Sequence, residues 1–465
     1  MSRDFIEADR GADFLLPPSL DDWLPQKHLA RFVVEIVDQL DLGALTESYV
    51  RGGLKREAPV HGLSPGRRAY HPAMLLSLLF YGYATGVFSS RKLEQATYDS
   101  VAFRYITGNL HPDHDTIASF RKRFLPELEG LFVQILMLAQ AAGVLRIGRV
   151  SLDGTKVKAN ASKHKALSWA YADRLEKQLQ EEVVQLLAKA GEADAGAEDP
   201  GLSIPDELER REDRLAVIAA AKATIAERAA ARHAEEQREW AAKMAVREAR
   251  QRETGRKSGG RAPKEPEPGP RAKDQVNFTD PESRIMLSSE GFVQAYNAQA
   301  VVDNESHLIV AGHVGPACND KQQLEPALAR LQRVEAALGK PEALLADSGY
   351  FSRANVEACE TAGITPYIAS GRDAHNEPLL DRMSPSPPCP GPGADTVDRA
   401  RHRVKTPEGK AIYGQRKATV ETVFGIVKAV LGFRRFHLRG QEAANGEWTL
   451  VSLAWNLKRM HALTS

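Results

Sequence analysis

Residues 146–162 read RIGRVSLDGTKVKANAS. Apolar and polar residues alternate up to Asp153, which is typical of a strand with one buried face, and we predict that the strand ends there. A second apolar run, ALLADSGY at 343–350, predicts a short buried strand that ends at Asp347. Because side chains at strand ends project into a shared crevice in α/β sheets, we expect the two carboxylates to lie together.

A third carboxylate, Glu421, lies in the segment YGQRKATVETVFGIVKAVLGFRRFHLRG at 413–440. Apolar residues at helical spacing predict a long helix here, with Glu421 beside its buried stripe. Lys428 follows two turns later on the same face. Three carboxylates from two strands and a helix form an oxygen-only site suited to Mg²⁺ or Mn²⁺. Two such ions would serve phosphodiester transfer.

Each of these acids also has a purely structural explanation. Asp153 and Asp347 fit turn or cap positions after a strand. Glu421 fits a solvated helix face. Spacing alone leaves both interpretations open.

The rest of the chain divides into regions that differ in periodicity and composition. Helical periodicity dominates 25–145, where Asp115 or Thr116 is expected to cap a helix and Pro72 to begin another. An Ala-, Glu- and Arg-rich stretch at 165–254 predicts a hairpin of two long helices. The Gly- and Pro-rich stretch at 255–274 predicts a mobile linker that cannot pack a core, with a lesser prospect of DNA contact. Beyond it, residues 291–303 and 307–315 read as strands, and 371–410 as a loop.

Composition limits the classes of function. The chain has 465 residues and a formal net charge of +1, with 43% hydrophobic and 26% charged residues, which excludes a wholly disordered chain and a uniformly basic nucleic-acid coat. The cysteines Cys318, Cys359 and Cys389 form no CxxC pair, so we expect reduced thiols and no zinc site. No signal segment or membrane-length apolar run is visible, and we expect a soluble, cytoplasmic protein without membrane contact.

Positive charge is instead concentrated near Glu421. Residues 401–440 hold ten Lys and Arg against two acids, which favours contact with DNA phosphates. Phe433 and Phe436 fit either stacking on an unpaired base or the protein core. A second basic group follows a helix start and fits either entry into a major groove or a solvated helix face. It consists of Arg121, Lys122 and Arg123.

Together these segments resemble the DDE transposases of bacterial insertion sequences. The resemblance is carried by SLDGTKVKANAS, LLADSGYFS and the 413–440 helix, which are similar to the three acidic motifs of that family. HPAMLLSLLFYGYATGVFSSRKLE and PDHDTIASFRKRF are similar to its N-terminal helical domain, and VNFTDPESRIM and GFVQAYNAQAVVD to the return into the core after an insertion. The resemblance implies that Asp153, Asp347 and Glu421 are the catalytic and metal-binding residues.

The last motif has the spacing Tyr-x2-Arg-x4-Glu-x6-Lys. The family pattern has one residue fewer between Arg and Glu, so either Arg416 or Lys417 fills the basic role. Tyr413 and Lys428 complete the motif, and the resemblance implies that these residues hold DNA phosphates. The predicted DNA contacts are Tyr413, Arg416, Lys417, Lys428, Arg434, Arg435, Arg121, Lys122 and Arg123.

The resemblance implies an α/β RNase H-like catalytic core with an all-α N-terminal domain and a long α-helical hairpin insertion. We predict an arm at 1–24, a helical DNA-binding domain at 25–145, a discontinuous core at 146–164 and 275–463, the hairpin at 165–254 and the linker at 255–274. The implied activity is metal-dependent cleavage of element-end DNA and transfer of the 3′-hydroxyl into target DNA. A homodimer would pair the two terminal inverted repeats, with the hairpin as a dimerising or clamping arm and two Mg²⁺ or Mn²⁺ ions per site. The alternatives are a catalytically inactive DNA-binding descendant and a host nuclease on the same core.

Overall fold

A computed structural model describes residues 19–47, 70–194, 204–256, 259–288, 291–371, 388–391 and 393–465. The chain divides into two compact units, one of residues 1–159 and 295–465 and the other of residues 160–294. The predicted arm at 1–24 lies mostly outside the described residues.

The first unit is built on a mixed β-sheet. Its strands in this unit are, in spatial order, Ile309–Gly315 (β6), Gly291–Asp303 (β5), Arg149–Lys158 (β1), Ala343–Ala346 (β7) and Thr365–Ile368 (β8). β5 begins in the second unit and pairs antiparallel with both β1 and β6, whereas β1, β7 and β8 are parallel.

The strand β1 is longer than predicted. It passes through Asp153 and ends at Lys158, because β5 pairs with it from Val150 to Lys158. Only the parallel pairing with β7 stops at the predicted place, where Leu152 pairs with Ala346.

Helices surround this sheet in the first unit. Before β1 these are α1 Leu20–Trp23, α2 Leu29–Asp38, α3 Pro72–Ala84, α4 Ser90–Asp99, α5 Val101–Thr107, α6 His114–Arg123 and α7 Leu128–Ala141. Pro72 is the first residue of α3, as predicted. The cap of α6 is Asp113, whose carboxylate accepts from the Thr116 backbone N–H at 2.7 Å. The prediction of Asp115 or Thr116 is therefore wrong by two or three residues.

The C-terminal half of this unit contains more helix than predicted. After α10 Leu324–Leu338 and α11 Arg353–Thr361 come α12 Thr396–Lys405, α13 Pro407–Gly414, α14 Arg416–Gly425 and α15 Gln441–Thr464. α12 and the first half of α13 fall in the stretch predicted as a loop. Thr406 caps α13 by accepting from the Gly409 N–H, and Pro407 occupies its first turn, so the proline starts a helix here.

The predicted long helix around Glu421 is interrupted. α14 continues into a π-helical turn at Ile426–Val430, and the chain then leaves through Gly432, whose φ of +80° suits glycine.

The second unit contains the helical hairpin. Its elements are β2 Ala166–Ser168, α8 Trp169–Asp194, α9 Ile204–Thr254, β3 Gln275–Asn277 and β4 Arg284–Ser288. A buried cluster joins the two helices with β2 and β3. Its members are Leu167, Ala172, Leu179, Ile218, Ala221, Ile225 and Val276. Over this part, the apolar side chains of the hairpin are therefore covered within the unit itself.

Residues 259–274 pack along α9, contrary to the prediction of a flexible linker there. The indole N–H of Trp240 donates to the Pro263 carbonyl at 3.1 Å, and Arg247 donates to the Gly260 carbonyl at 2.9 Å. Arg232 bonds both carboxylate oxygens of Asp274 at 2.8 Å. The α9 side chains supply the donors that this Pro-rich segment lacks, and we call residues 259–274 the strap.

Within the described ranges, no single helix has the length and apolar character needed to cross a membrane. The bent pair α6 and α7, which meet at 84°, passes that test of length and composition together.

Candidate active site

The sheet register brings the first two predicted carboxylates together. Leu152 pairs with Ala346 at the last position of the parallel β1–β7 ladder, so Asp153 is the next residue of β1 and Asp347 directly follows β7. Burial raises the pKa of Asp153 to about 6, with the nearby Asp347 charge adding to it and Arg416 opposing it. The Asp347 carboxylate accepts from the Gly349 backbone N–H at 2.8 Å, which fixes it in a short turn.

Arg416 connects the first carboxylate to the third. Its guanidinium donates to Asp153 Oδ2 at 2.9 Å and to Glu421 Oε1 at 3.2 Å. The Arg416 side chain is 11% exposed, and its Nε is buried without a hydrogen-bond partner. Glu421 is half exposed, at the solvent side of the bridge. Of the two basic residues offered by the motif, Arg416 contacts the acids, whereas Lys417 is exposed.

This donor set suits a divalent cation by its chemistry. All three groups are carboxylates, the ligands that hard cations prefer. Across the described ranges, however, no three Asp, Glu, His or Cys side chains stand close enough to hold one ion as now placed, and Arg416 lies between Asp153 and Glu421. The Arg416 guanidinium shows that Asp153 and Glu421 accept a positive charge between them.

Lys428 reaches the neighbouring part of β1. It lies in the π-helical turn, and its ammonium donates to the Lys156 carbonyl at 2.8 Å. The chain after the turn is also tied to β1, since the Lys158 N–H donates to the Arg434 carbonyl at 3.1 Å and the Phe436 N–H to the Lys158 carbonyl at 2.8 Å. These contacts hold the basic segment beside the strand that carries Asp153.

Two family models match the chain. The model described as a transposase DDE domain matches residues 279–457, and the model described as a transposase domain of the DUF772 type matches residues 18–123. Together they cover more than half of the sequence. The chain belongs to the DDE transposases of insertion sequences. No curated protein and no solved structure matches it.

DNA cleavage and strand transfer are the general activity of DDE transposases, and divalent metal ions generally support it. The DDE domain also implies an RNase H-like core, with which the mixed sheet is consistent. Asp347 and Glu421 fall inside the matched DDE region, whereas Asp153 falls between the two matched regions. The assignment of Asp153 in this transposase therefore rests on the sheet register and on Arg416.

The basic and aromatic residues predicted to contact DNA differ in how far they are buried in the transposase. Lys417, Arg434 and Arg435 are exposed, while Tyr413 and Lys428 are half-buried beside the carboxylates. Phe433 and Phe436 are fully buried and contact each other edge to face, which supports the core interpretation and contradicts base stacking.

Arg121 is not a surface residue of this transposase. It is 8% exposed, and its guanidinium donates to the Tyr83 hydroxyl at 3.0 Å and to the Phe88 carbonyl at 2.9 Å. The prediction that Arg121 contacts DNA is therefore wrong, because the side chain turns into the core to bond buried acceptors. Lys122 and Arg123 are exposed, and their DNA contact stays a prediction.

A set of polar residues next to the carboxylates was missed from the sequence. Asn297 and Gln299 are fully buried on β5, and both side-chain amides donate to Asp320, at 2.7 and 3.0 Å. The available signal was the pattern NAQA, which places two amides two residues apart in an otherwise apolar strand. Such buried amides require polar partners.

Proposed function

We propose that Asp153, Asp347 and Glu421 are the catalytic carboxylates of this insertion-sequence transposase, and that they hold two Mg²⁺ or Mn²⁺ ions. The observation that carries the proposal is the pair of contacts by which Arg416 joins Asp153 on β1 to Glu421 on α14. Ions bound there would lower the pKa of the attacking water or 3′-hydroxyl and stabilise the leaving oxygen.

The chain's own groups have distinct tasks in this proposal. Asp153 and Asp347 present oxygens from two strands of one sheet, which is a rigid support for in-line chemistry. Glu421 completes the set from the solvent side. Arg416 and Lys428 bring positive charge next to the carboxylates, where they would hold the phosphates on either side of the scissile bond.

We further propose a DNA path from the carboxylates along the basic segment. Tyr413, Lys417, Arg434 and Arg435 would follow the terminal phosphates, because they adjoin Glu421 in sequence and the last two extend beside β1. Lys122 and Arg123 would contact DNA from the helical region at 25–145. Binding through phosphates is salt-dependent and largely independent of base sequence, so other contacts would have to recognise the element ends.

The partners in this proposal are the element's terminal inverted repeats and the target DNA. Two ends must be paired before joining, and we propose a homodimer for this task, located with the nucleoid when bound to DNA. The hairpin is the remaining candidate for a dimerising or clamping arm, through surfaces other than its internal cluster.

The experiment uses purified protein and labelled DNA that carries the element's flanking ends, with Mg²⁺ or Mn²⁺. We expect nicking and strand transfer by the parent chain. Asp153→Ala, Asp347→Ala and Glu421→Ala are each expected to lose both activities while retaining DNA binding. Glu408→Ala, which removes an exposed carboxylate from α13, is the matched control and should keep activity.

The other outcomes identify the alternatives. Retention of Mn²⁺-dependent cleavage by the three alanine variants would disprove the assignment of the site. Binding without cleavage by the parent chain would indicate an inactive descendant, and cleavage without strand transfer would indicate a nuclease.

A further inference from the structure

A fourth carboxylate, Asp320, lies at the same edge of the sheet as the proposed site. β6 runs parallel to β1, since both pair antiparallel with β5, and the loop after β6 carries Asp320. The carboxyl ends of β6 and β7 and the end of the parallel β1–β7 ladder therefore share one edge. Asp320 is 24% exposed and has Lys156 at 3.7 Å.

Asp320 fixes the orientation of a buried amide. Its Oδ1 accepts from Gln299 Nε2 at 3.0 Å and from Asn297 Nδ2 at 2.7 Å. A primary amide that donates at one end presents its oxygen at the other. The oxygen of Gln299 accepts a hydrogen bond from the hydroxyl of Tyr350, which is fully buried.

Tyr350 ends the turn that begins at Asp347. The Tyr350 N–H donates to the Asp347 carbonyl at 3.2 Å, and the Gly349 N–H donates to the Asp347 carboxylate at 2.8 Å. A second connection runs through Asn355, whose side-chain amide donates to the carbonyls of Lys321 at 2.8 Å and Tyr350 at 2.6 Å. The loop of Asp320 and the turn of Asp347 are thus joined twice.

The same group of side chains packs against the residue that follows Asp153. A Cβ placed on Gly154 would lie 2.2 Å from Gln299 Nε2 and 2.6 Å from Asp320 Oδ1. The amides and Asp320 therefore touch β1 directly beside the first proposed carboxylate, as well as the turn that holds the second.

We propose that Asp320 is a positioning residue that sets the separation of Asp153 and Asp347 through Gln299, Tyr350 and the backbone at Gly154. The inference rests on the proposed assignment of those two aspartates as metal ligands. Asp320 acts here as a hydrogen-bond acceptor, so its oxygen is needed and its charge is not.

The test is titration of the purified protein with Mn²⁺, in which the free ion is followed by electron paramagnetic resonance, together with the Mn²⁺ dependence of cleavage. Loss of a supporting contact around a metal site typically costs about 10-fold to 100-fold in affinity. We expect Asp320→Ala to weaken Mn²⁺ binding, and to raise the Mn²⁺ concentration needed for cleavage, by about 10-fold to 100-fold. Asp320→Asn retains an acceptor oxygen and should bind Mn²⁺ nearly as the parent does.

Tyr350→Phe tests the connection without altering Asp320. It removes only the hydroxyl that bonds Gln299, and we expect a similar loss of Mn²⁺ affinity with little change in DNA binding. The double variant Asp320→Ala/Tyr350→Phe should bind Mn²⁺ no more weakly than the single variant with the lower affinity. Both substitutions break the same chain of hydrogen bonds, so their effects should not add. Should Asp320→Ala fail to fold, Tyr350→Phe and Asp320→Asn still decide the question.

Several results would overturn the proposal. An equal loss of Mn²⁺ affinity in Asp320→Asn and Asp320→Ala would indicate that Asp320 is a direct metal ligand. Additive losses of Mn²⁺ affinity in the double variant would exclude a shared chain of hydrogen bonds. Unchanged Mn²⁺ binding in Asp320→Ala and Tyr350→Phe would remove any positioning role. Asp347→Ala in the same titration separates failure of the role given to Asp320 from failure of the proposed metal site. If Asp347→Ala leaves Mn²⁺ binding intact, the proposed site itself is wrong.

Discussion

Gly154 lies between the proposed carboxylates and the polar residues behind them. A methyl group there would overlap the Gln299 amide and Asp320, which are hydrogen-bonded to each other. We expect Gly154→Ala to destabilise the fold by about 1–3 kcal/mol through overpacking, and to lower cleavage further by moving Asp153. Urea denaturation and the cleavage assay measure the two effects.

Gly425→Ala is the control for that substitution. Gly425 is helical, at the end of α14, and its Cβ would meet no atom within 4 Å. It should stabilise the protein by about 0.5–1 kcal/mol or leave it unchanged. Equal effects of the two alanines on cleavage would contradict the role given to Gly154.

Asp153 predicts a pH dependence of stability in the absence of metal. Burial raises its pKa to about 6, so the folded state holds a proton that the unfolded chain releases near its ordinary value of 3.8. The folded state then binds more protons between these values, and its stability falls as pH rises from about 4 to about 6. The full loss is on the order of 2–3 kcal/mol.

Asp153→Asn should remove this component. We expect the variant to be more stable than the parent above pH 6 and similar to it near pH 4, as measured by urea denaturation with a chelator present. Parallel stability profiles for the two proteins would show that Asp153 titrates normally.

The sequence identified the proposed acids but not their surroundings. Asp153 and Asp347 each end an apolar run, but only the resemblance of their motifs to those of the DDE transposases singled them out. Asp320 was not foreseen, because its contacts join three segments that are remote in sequence. Arg121 was misassigned because a helix sequence shows charge but does not reveal which basic residue meets a buried acceptor.

At the scale of elements, the strap shows how a Pro-rich segment is ordered by a helix. Trp240 is half-buried and bonds the Pro263 carbonyl. We expect Trp240→Ala to release residues 260–267, because both its ring contact area and its hydrogen bond are lost. Hydrogen exchange there should quicken, and trypsin should cleave faster after Arg261 and Lys264.

Val246→Ala is the matched control on the same helix. Val246 is 71% exposed, and its truncation should leave exchange and cleavage in the strap unchanged. If the strap of the parent chain already exchanges as fast as that of Trp240→Ala, the packing described here does not persist in solution.

Elements were predicted best where burial dictates their pattern. β7 and α3 follow apolar runs. In contrast, α12 and α13 are polar helices, and α13 begins with the Thr406 cap and Pro407. The length of β1 beyond Asp153 depends on its antiparallel partner β5, which returns to the sheet only after the whole second unit. No local pattern contains that information.

At the scale of the whole first unit, Arg121 connects the helices before the sheet to the last helix. It bonds the Tyr83 hydroxyl, which donates to Glu447 on α15 at 2.9 Å, and Glu447 is fully buried. We expect Arg121→Ala to lower the free energy of unfolding by about 1–3 kcal/mol, since buried acceptors lose their donor. Thermal or urea denaturation measures this loss.

Lys122→Ala should alter DNA binding and leave stability nearly unchanged. Lys122 is exposed on the same helix, so the free energy of unfolding of the variant should change by less than about 0.5 kcal/mol. If Lys122 contacts a phosphate, the DNA affinity of the variant should fall. The slope of the logarithm of affinity against the logarithm of salt concentration should then decrease in magnitude by about 1. Unchanged binding at all salt concentrations would remove Lys122 from the DNA path.

The pairing of β1 with β5 has a consequence for how such chains diversify. The last pair of this ladder is Lys158 with Ala295, so the chain leaves the sheet and returns to it at directly opposed positions. A two-residue hairpin turn would join the same two ends. Residues 160–294 are therefore inserted between two paired strand ends, and recombination could lengthen, exchange or delete this insertion while the β1–β5 ladder kept its register.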